Sequence, residues 1–381
     1  MTTYGSHMNV RDAVETIGGS IAGNIGKLFD LNPSVHSRNL VDVLTQLSTS
    51  QGMRRLWEAE IASSLLADRS VHSPVPVVDL FAGCGGLSLG FEAAGFDVLV
   101  GLDNWKPAVE TYSLNLSHEG IVADLENVDA TVEILERYRL PSGVFPGIIG
   151  GPPCQDFSSA GARKEGSRAD LTRKFAEIVG ILQPEFFVME NVAIAAKAVA
   201  YKEALSTLCS FGYEVETVVL NANHFGVPQR RSRLFAIGTR EPGGTAAVLQ
   251  DLACNESHVG PTVRDWFGID SGVPDFYYRH PRSYSRRGVF SANEPSPTIR
   301  GVNRPIPSTY KSHEGDKATA TSFPELAPLT FMQRAQIQTF PSGYRFVGPN
   351  STVEQMIGNA VPVRLAHAVA LALMNGLQLW D

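Results

Sequence analysis

From residue 75 to residue 240 the chain alternates between two hydrophobic periods. Short apolar, β-branched runs at 75–81, 96–103, 145–153, 185–192, 213–220 and 233–240 predict strands. Between them, 87–95, 104–116 and 171–182 carry apolar residues at three- and four-residue spacing, which predicts helices. Strands that alternate with helices imply βαβ units and a doubly wound, mostly parallel sheet. The expected fold class is α/β, with ligands at the carboxyl ends of the strands.

The flanks differ. Residues 40–47 and 53–66 have helical spacing but no motif with chemistry, and the Ser-Pro-Val-Pro stretch at 73–76 reads as a boundary. Residues 9–73 are expected to form an N-terminal helical extension. Residues 1–8, with Gly5-Ser6-His7-Met8, read as a tag remnant. From 241 to 325 the rhythm fades into Pro, Gly, Ser and Arg; helical spacing returns at 329–340 and 363–379. The expected organisation is a main domain of 74–245 plus 328–381 and a smaller, irregular domain of 246–327.

Composition narrows the classes. Of 381 residues, 43% are apolar, enough for a sizeable core. Acidic residues outnumber basic ones by 39 to 32, a net charge of -7, which argues against a uniformly basic nucleic-acid coat but not against a local basic face. The four cysteines (Cys84, Cys154, Cys209, Cys254) form no C-x-x-C pair, so reduced thiols are expected, with Cys209 and Cys254 as buried structural residues. No apolar run reaches the roughly 18 residues of a membrane span, and no signal pattern opens the chain. No His/Cys group has metal-ligand spacing, so no metal is expected.

Asp79, Phe81, Ala82, Gly83, Cys84, Gly85, Gly86 and Leu87 follow a strand and open a helix. Glycines there let the backbone approach a ligand, and the helix N-terminus favours an anionic group. Asp103 ends the next strand, at a spacing suited to ribose hydroxyls, and Asp124 is placed for an adenine amino group. Ser88 stands where a dinucleotide fingerprint has its third glycine. The segment suits a nucleoside cofactor without distinguishing a dinucleotide from S-adenosylmethionine.

Cys154 lies just past a strand end, in Gly-Gly-Pro-Pro-Cys-Gln-Asp-Phe-Ser (150–158), a loop stiffened by two prolines. A thiol beside a cofactor edge is a candidate nucleophile. With a free pKa of about 8.5 it needs nearby positive charge to become thiolate near neutral pH.

At these residues the chain resembles the DNA cytosine-5 methyltransferases, over 75–240 and 328–375. The turn at 79–86 resembles their S-adenosylmethionine loop, and 150–158 their catalytic-cysteine motif. Glu190-Asn191-Val192, Gln229-Arg230-Arg231-Ser232-Arg233 and Gly358-Asn359-Ala360-Val361-Pro362 match three further motifs in the same order. The resemblance implies Cys154 as the nucleophile toward cytosine carbon 6, and Glu190 as the group that holds ring nitrogen 3. It implies Arg233 on the base carbonyl and Arg231 orienting the site. It implies S-adenosylmethionine as cofactor, with further contacts from Asn104 or Trp105, Leu125, Pro153, Asn359, Ala360 and Val361. The base must be flipped out of the duplex, and the loop 158–170 is expected to close over it. The segment at 329–340 departs from the family, with Met332 and Gln333 where Arg-Glu is frequent.

Residues 277–317 hold eight Lys/Arg and three acids, a local charge of +5, with Tyr277, Tyr278, Tyr284 and His280 interleaved. The resemblance makes the smaller domain a target-recognition domain. Gln155, Ser158, Arg163 and Gln229 of the main domain and Arg286, Arg287, Arg300, Asn303 and Arg304 of the smaller one are the candidate DNA contacts. The expected partner is double-stranded DNA, with a cognate restriction endonuclease acting on the same site. The protein is expected to be a cytoplasmic, bacterial monomer. An RNA-directed (tRNA) cytosine-5 enzyme and a catalytically inactive DNA-binding relative are the alternatives. An amino methyltransferase is disfavoured because Cys154 stands where those enzymes carry an aromatic residue after paired prolines.

Overall fold

The computed structural model describes residues 52–66, 74–153, 170–269, 271–281, 283, 285–319 and 322–379. Cys154, Gln155, Ser158, Arg163, Arg282, Tyr284, residues 1–51 and all but the last residue of the 158–170 loop lie outside this set. The chain forms two compact units.

The larger unit is built on a seven-stranded sheet of order β3-β2-β1-β4-β5-β8-β6 among the described residues. Its strands are β1 (Pro76–Leu80), β2 (Asp97–Asp103), β3 (Glu119–Val122), β4 (Gly147–Gly150), β5 (Phe186–Val192), β6 (Glu214–Asn221) and β8 (Ser232–Thr239). All run parallel except β8, which opposes both neighbours. The expected mostly parallel α/β sheet is therefore what forms. β4 is buried along its whole length, as the near-continuous apolar run at 145–150 requires, whereas edge strand β6 is largely solvent-facing. Helices α2 (Gly86–Ala93), α3 (Lys106–Asn115), α4 (Val128–Leu135), α5 (Asp170–Leu182), α6 (Val199–Ser210), α7 (Gly244–Asn255) and α11 (Val363–Gly376) surround the sheet. Gly90 lets α2 approach α11 closely, since a Cβ there would stand 2.4 Å from that of Ala366. The core joins Val78, Leu80, Val100, Leu102, Ile148, Phe187, Met189 and Leu234.

The smaller unit contains α1 (Met53–Leu66), β7 (Gln229–Arg230), α8 (Val263–Phe267), β9 (Phe276–Tyr278), β10 (Val289–Ser291), β11 (Ser296–Pro297), α9 (Phe331–Ile337) and α10 (Asn350–Asn359). β9 and β10 pair antiparallel, and β7 pairs with β11 in parallel. α1 is an integral element here: Trp57 is buried and its indole N–H donates to Thr339 O at 2.9 Å, while Glu58 accepts from Ser342 N at 2.9 Å.

Two expectations change. The compact units divide at other residues, since α7 crosses residue 246 and packs on α11 in the larger unit, while residues 328–359 group with the smaller one. Cys209 and Cys254 are exposed on α6 and α7, not buried, because each faces away from its helix's apolar stripe. Tyr277 and Tyr278 are core residues, sealed by the β9–β10 pairing. The stretch Asn350–Gly376 is long and apolar enough by composition to cross a membrane, but most of it is buried.

Met332 and Gln333 acquire a local reason. Thr330 Oγ1 accepts from Gln333 N at 3.2 Å and Gln333 Oε1 accepts from Thr330 N at 2.9 Å, a reciprocal cap that starts α9.

Candidate active site

The glycine-rich turn sits at the carboxyl end of β1. Phe81, Gly83 and Gly85 adopt positive φ (59°, 55° and 87°), so the chain reverses within five residues before α2 begins. A Cβ on Gly83 would meet nothing within 4 Å, so this backbone faces open space. Asp103 closes the turn: its Oδ2 accepts from Gly83 N and its Oδ1 from Trp105 N, both at 2.8 Å. Burial raises its pKa against those two hydrogen bonds. Cys84 is buried and its thiol is pushed up to about 12, so it is no nucleophile.

Asp79 lies beneath the turn, fully buried, with its pKa raised to about 8, chiefly by desolvation. Ser88 Oγ donates to its Oδ2 at 2.6 Å. Ser88 is thus not a defective third glycine but a ligand of the acid. Its single proton being committed, Ser88 accepts from Tyr112 OH at 2.9 Å, and Tyr112 OH in turn meets His118 Nε2. The ring of Tyr112 fits because residue 101 is glycine; a Cβ there would come within 2.3 Å of it. Glu92 ends the series, 3.2 Å from His118 Nδ1. Asp79 Oδ1 is buried and finds no partner among the described residues, so one carboxyl oxygen is left over beneath the turn. The open face at Gly83 and the Asp103 carboxylate fit a nucleoside cofactor. Asn104 and Asp124 are exposed, Trp105 half-buried and Leu125 buried along the same edge. The Ser88–Tyr112–His118 chain escapes a sequence reading, because it joins α2, α3 and the loop before β3 through residues far apart in the sequence.

Glu190 occupies β5, next to the end of β4. Its Oε1 lies 2.7 Å from Arg233 Nε. Because β8 runs antiparallel to β5, the start of β8 comes to the carboxyl edge of the sheet, opposite the end of β5. Arg231 lies between β7 and β8, where pairing breaks, and its charge acts on Glu190 together with that of Arg233. Arg231 is 1% exposed and donates from a terminal guanidinium nitrogen to Ala360 O at 3.0 Å, which gives the Gly-Asn-x-Val-Pro motif a role in holding it. Burial and the neighbouring Arg233 hold the Arg231 pKa well below its usual value. Desolvation raises that of Glu190 in spite of the two arginines. Asn191 Nδ2 donates to Pro152 O at 3.3 Å, and a Cβ on Gly151 would stand 3.2 Å from Glu190 Oε2. The turn that leads into Cys154 therefore passes directly beside the carboxyl group.

In the smaller unit the expected DNA contacts separate into two kinds. Arg286 and Arg304 are exposed. Arg287 holds Glu294 through two bonds of 2.9 and 2.8 Å, and Asn303 Nδ2 donates to Leu329 O and Glu354 Oε1 at 2.8 and 3.0 Å. Arg300 donates to His280 O. Gln229 is a correction: it is fully buried, its Oε1 accepts from Ile299 N at 2.7 Å and its Nε2 donates to Gln338 Oε1 at 2.6 Å. Both ends of its amide are consumed in tying β7 to the segment after β11 and to the residue following α9.

A parallel sheet with one reversed strand, a glycine-rich turn closed by Asp103 and a buried carboxyl–arginine pair define an α/β methyltransferase. The chain belongs to the C-5 cytosine-specific DNA methylase family, whose model matches residues 75–375. It is 50% identical over 299 residues to the Type II methyltransferase M.HgiDI of Herpetosiphon aurantiacus, covering 78% of this chain and 93% of that protein. It is 46% identical over 299 residues to M.HindV of Haemophilus influenzae, covering 78% and 96%. Among solved structures, Entamoeba histolytica methyltransferase EhMeth (TM-score 0.59, 17% identity) and S. pombe Dnmt2 methyltransferase (TM-score 0.57, 18%) each match 80% of this chain and 99% of their own, sharing the fold. Family membership implies a methyltransferase that uses S-adenosylmethionine and acts on DNA. Helix α1 precedes the matched region, so the smaller unit includes an element that the family model does not cover.

Proposed function

We propose that the protein methylates carbon 5 of cytosine within a specific sequence of double-stranded DNA, through a covalent adduct of Cys154 with a flipped-out base. The observation that carries this reading is the Glu190–Arg233–Arg231 group, held beside the Gly-Pro-Pro turn that enters Cys154. Carbon 5 of cytosine is a poor nucleophile. Addition of the Cys154 thiolate to carbon 6 makes the ring enamine-like and carbon 5 reactive. Glu190, whose pKa burial raises, would donate to ring nitrogen 3 as the negative charge develops. Arg233 fixes that carboxyl group and reaches the base carbonyl. The positive charge of the two arginines favours the thiolate. Loss of the carbon-5 proton and expulsion of the thiolate complete the cycle.

Bound S-adenosylmethionine supplies the electrophilic methyl group. Asp79, Gly83, Asp103 and Trp105 would hold it, with Phe81, Leu125, Pro153 and Val361 as apolar contacts. The loop 158–170 would close over the extruded base. Exposed Arg286 and Arg304 would hold phosphates, while Arg287, Arg300 and Asn303 act through the loop they brace. A cognate restriction endonuclease acting on the same sequence, a monomeric state and residence in a bacterial cytoplasm, where the DNA lies, belong to this reading.

The test is methylation of an unmethylated plasmid followed by bisulfite sequencing. Protected cytosines at one repeated motif, lost with Cys154→Ala, support the proposal. No protection by the wild type, or protection that persists in Cys154→Ala, overturns it. Labelling of tRNA in place of DNA would favour an RNA-directed enzyme.

A further inference from the structure

We propose that His224, Glu256 and His258 form a binding site for a divalent transition metal of the zinc class. The three side chains offer ligand atoms that all lie within 4.8 Å of one another. They come from two separate segments of the larger unit. His224 lies in the 3-10 turn Ala222–Phe225 that directly follows β6, and Glu256 and His258 follow α7. Spacing along the sequence conceals the group, since 32 residues separate His224 from Glu256.

The backbone prepares the arrangement. Ser257 N donates to His224 O at 2.9 Å, which pins the residue between the two downstream ligands to the upstream one. Glu256 leaves the helix in an extended conformation (φ -73°, ψ 122°), and its carboxylate and the His258 ring both reach the group. Glu256 Oε1 is 2.6 Å from His224 Nδ1, and the His224 and His258 rings meet edge to face with centroids 6.0 Å apart. Ligands around a tetrahedral zinc ion, with bonds of about 2.0 Å, stand roughly 3.3 Å apart. The His224–Glu256 contact must open by roughly 0.7 Å to admit the ion, and the exposed His258 must close in.

The donor set selects the ion. Two imidazoles and one carboxylate suit zinc, cobalt or nickel; magnesium and calcium prefer oxygen ligands. Three protein ligands leave a coordination position for water. β6 runs with the parallel strands, so the turn lies at the carboxyl edge of the sheet, and Ala222 N donates to Arg231 O at 2.9 Å. An ion there would brace the turn that borders the buried arginine.

Titration of the full chain with zinc, followed by calorimetry, tests the site. The wild type should bind one zinc per chain, with no competition from a large excess of magnesium. His224→Ala and His258→Ala should each weaken binding at least ten-fold, while both still bind S-adenosylmethionine, which reports an intact fold. Cobalt should give the visible absorption of a nitrogen-ligated ion in the wild type alone. Absence of zinc binding by the wild type, binding that survives both histidine substitutions, or binding that disappears with Cys254→Ala instead would each overturn the assignment.

Discussion

Arg233 Nε stands 2.7 Å from Glu190 Oε1, across two strands that run in opposite directions. The reversal of β8 brings a guanidinium to a carboxyl group at the sheet edge. Both side chains are about nine-tenths buried, at 12% and 11% exposure, so neither charge is well solvated without the other. Arg233→Ala should therefore cost up to about 3 kcal/mol of stability near neutral pH. The loss should shrink in acid, where the stranded carboxyl group takes up a proton. Chemical denaturation at several pH values measures both. A cost that is independent of pH would contradict this pairing.

Glu190→Gln keeps the shape and removes the titrating proton. The rate of methyl transfer should fall by roughly 10²- to 10⁴-fold, the usual weight of a general acid. DNA affinity and its salt dependence should stay as in the wild type. Single-turnover kinetics with a separate binding assay distinguish the two effects.

Asp79 gives a pH signature of its own. Its pKa is about 8 in the fold against an ordinary 3.8, so between these values the folded chain holds a proton that the unfolded chain has lost. Its contribution to stability therefore declines as pH rises from about 4 to about 8. Asp79→Asn cannot titrate, and the difference in Tm between variant and wild type should move in the variant's favour across that window. A difference that stays flat would contradict the buried acid.

The strands of the larger unit and its family were legible in the sequence, because the apolar runs are short and regular and each motif is contiguous: 79–86, 150–158, 190–192 and 229–233. Other features were not. Periodicity gives a helix its apolar face but not the neighbour that face meets, so the grouping of α7 with the larger unit and of residues 328–359 with the smaller one could not be read from it. A polar residue in a motif reads alike whether it faces solvent or is consumed inside. Gln229 is the clearest case, since its partners Ile299 and Gln338 lie 70 and 109 residues away. Ser88 misled for the same reason, its partner being a buried acid.

Gln229→Ala should consequently behave as a stability variant. It strands the Ile299 N–H and the Gln338 side chain, at about 1–3 kcal/mol for each buried group left unsatisfied. The slope of DNA affinity against salt should not change. A reduced slope with unchanged stability would return Gln229 to the DNA interface.

Arg286→Ala and Arg304→Ala should do the reverse. Both residues are exposed, so stability should hold. Each lost phosphate contact should lower the salt slope by about 1. Arg287→Ala should instead lower stability, because it leaves Glu294 without its paired guanidinium.

The covalent role proposed for Cys154 is tested by mass spectrometry. A DNA duplex with 5-fluorocytosine at the target position carries a fluorine where the departing proton should be, so the adduct cannot resolve after methylation. With S-adenosylmethionine present, the wild type should yield a denaturant-stable protein–DNA species carrying one added methyl group, and the cross-linked peptide should contain Cys154. Cys154→Ala should yield none. An adduct that maps to another residue, or turnover of the fluorinated duplex without any trapped species, would contradict the mechanism.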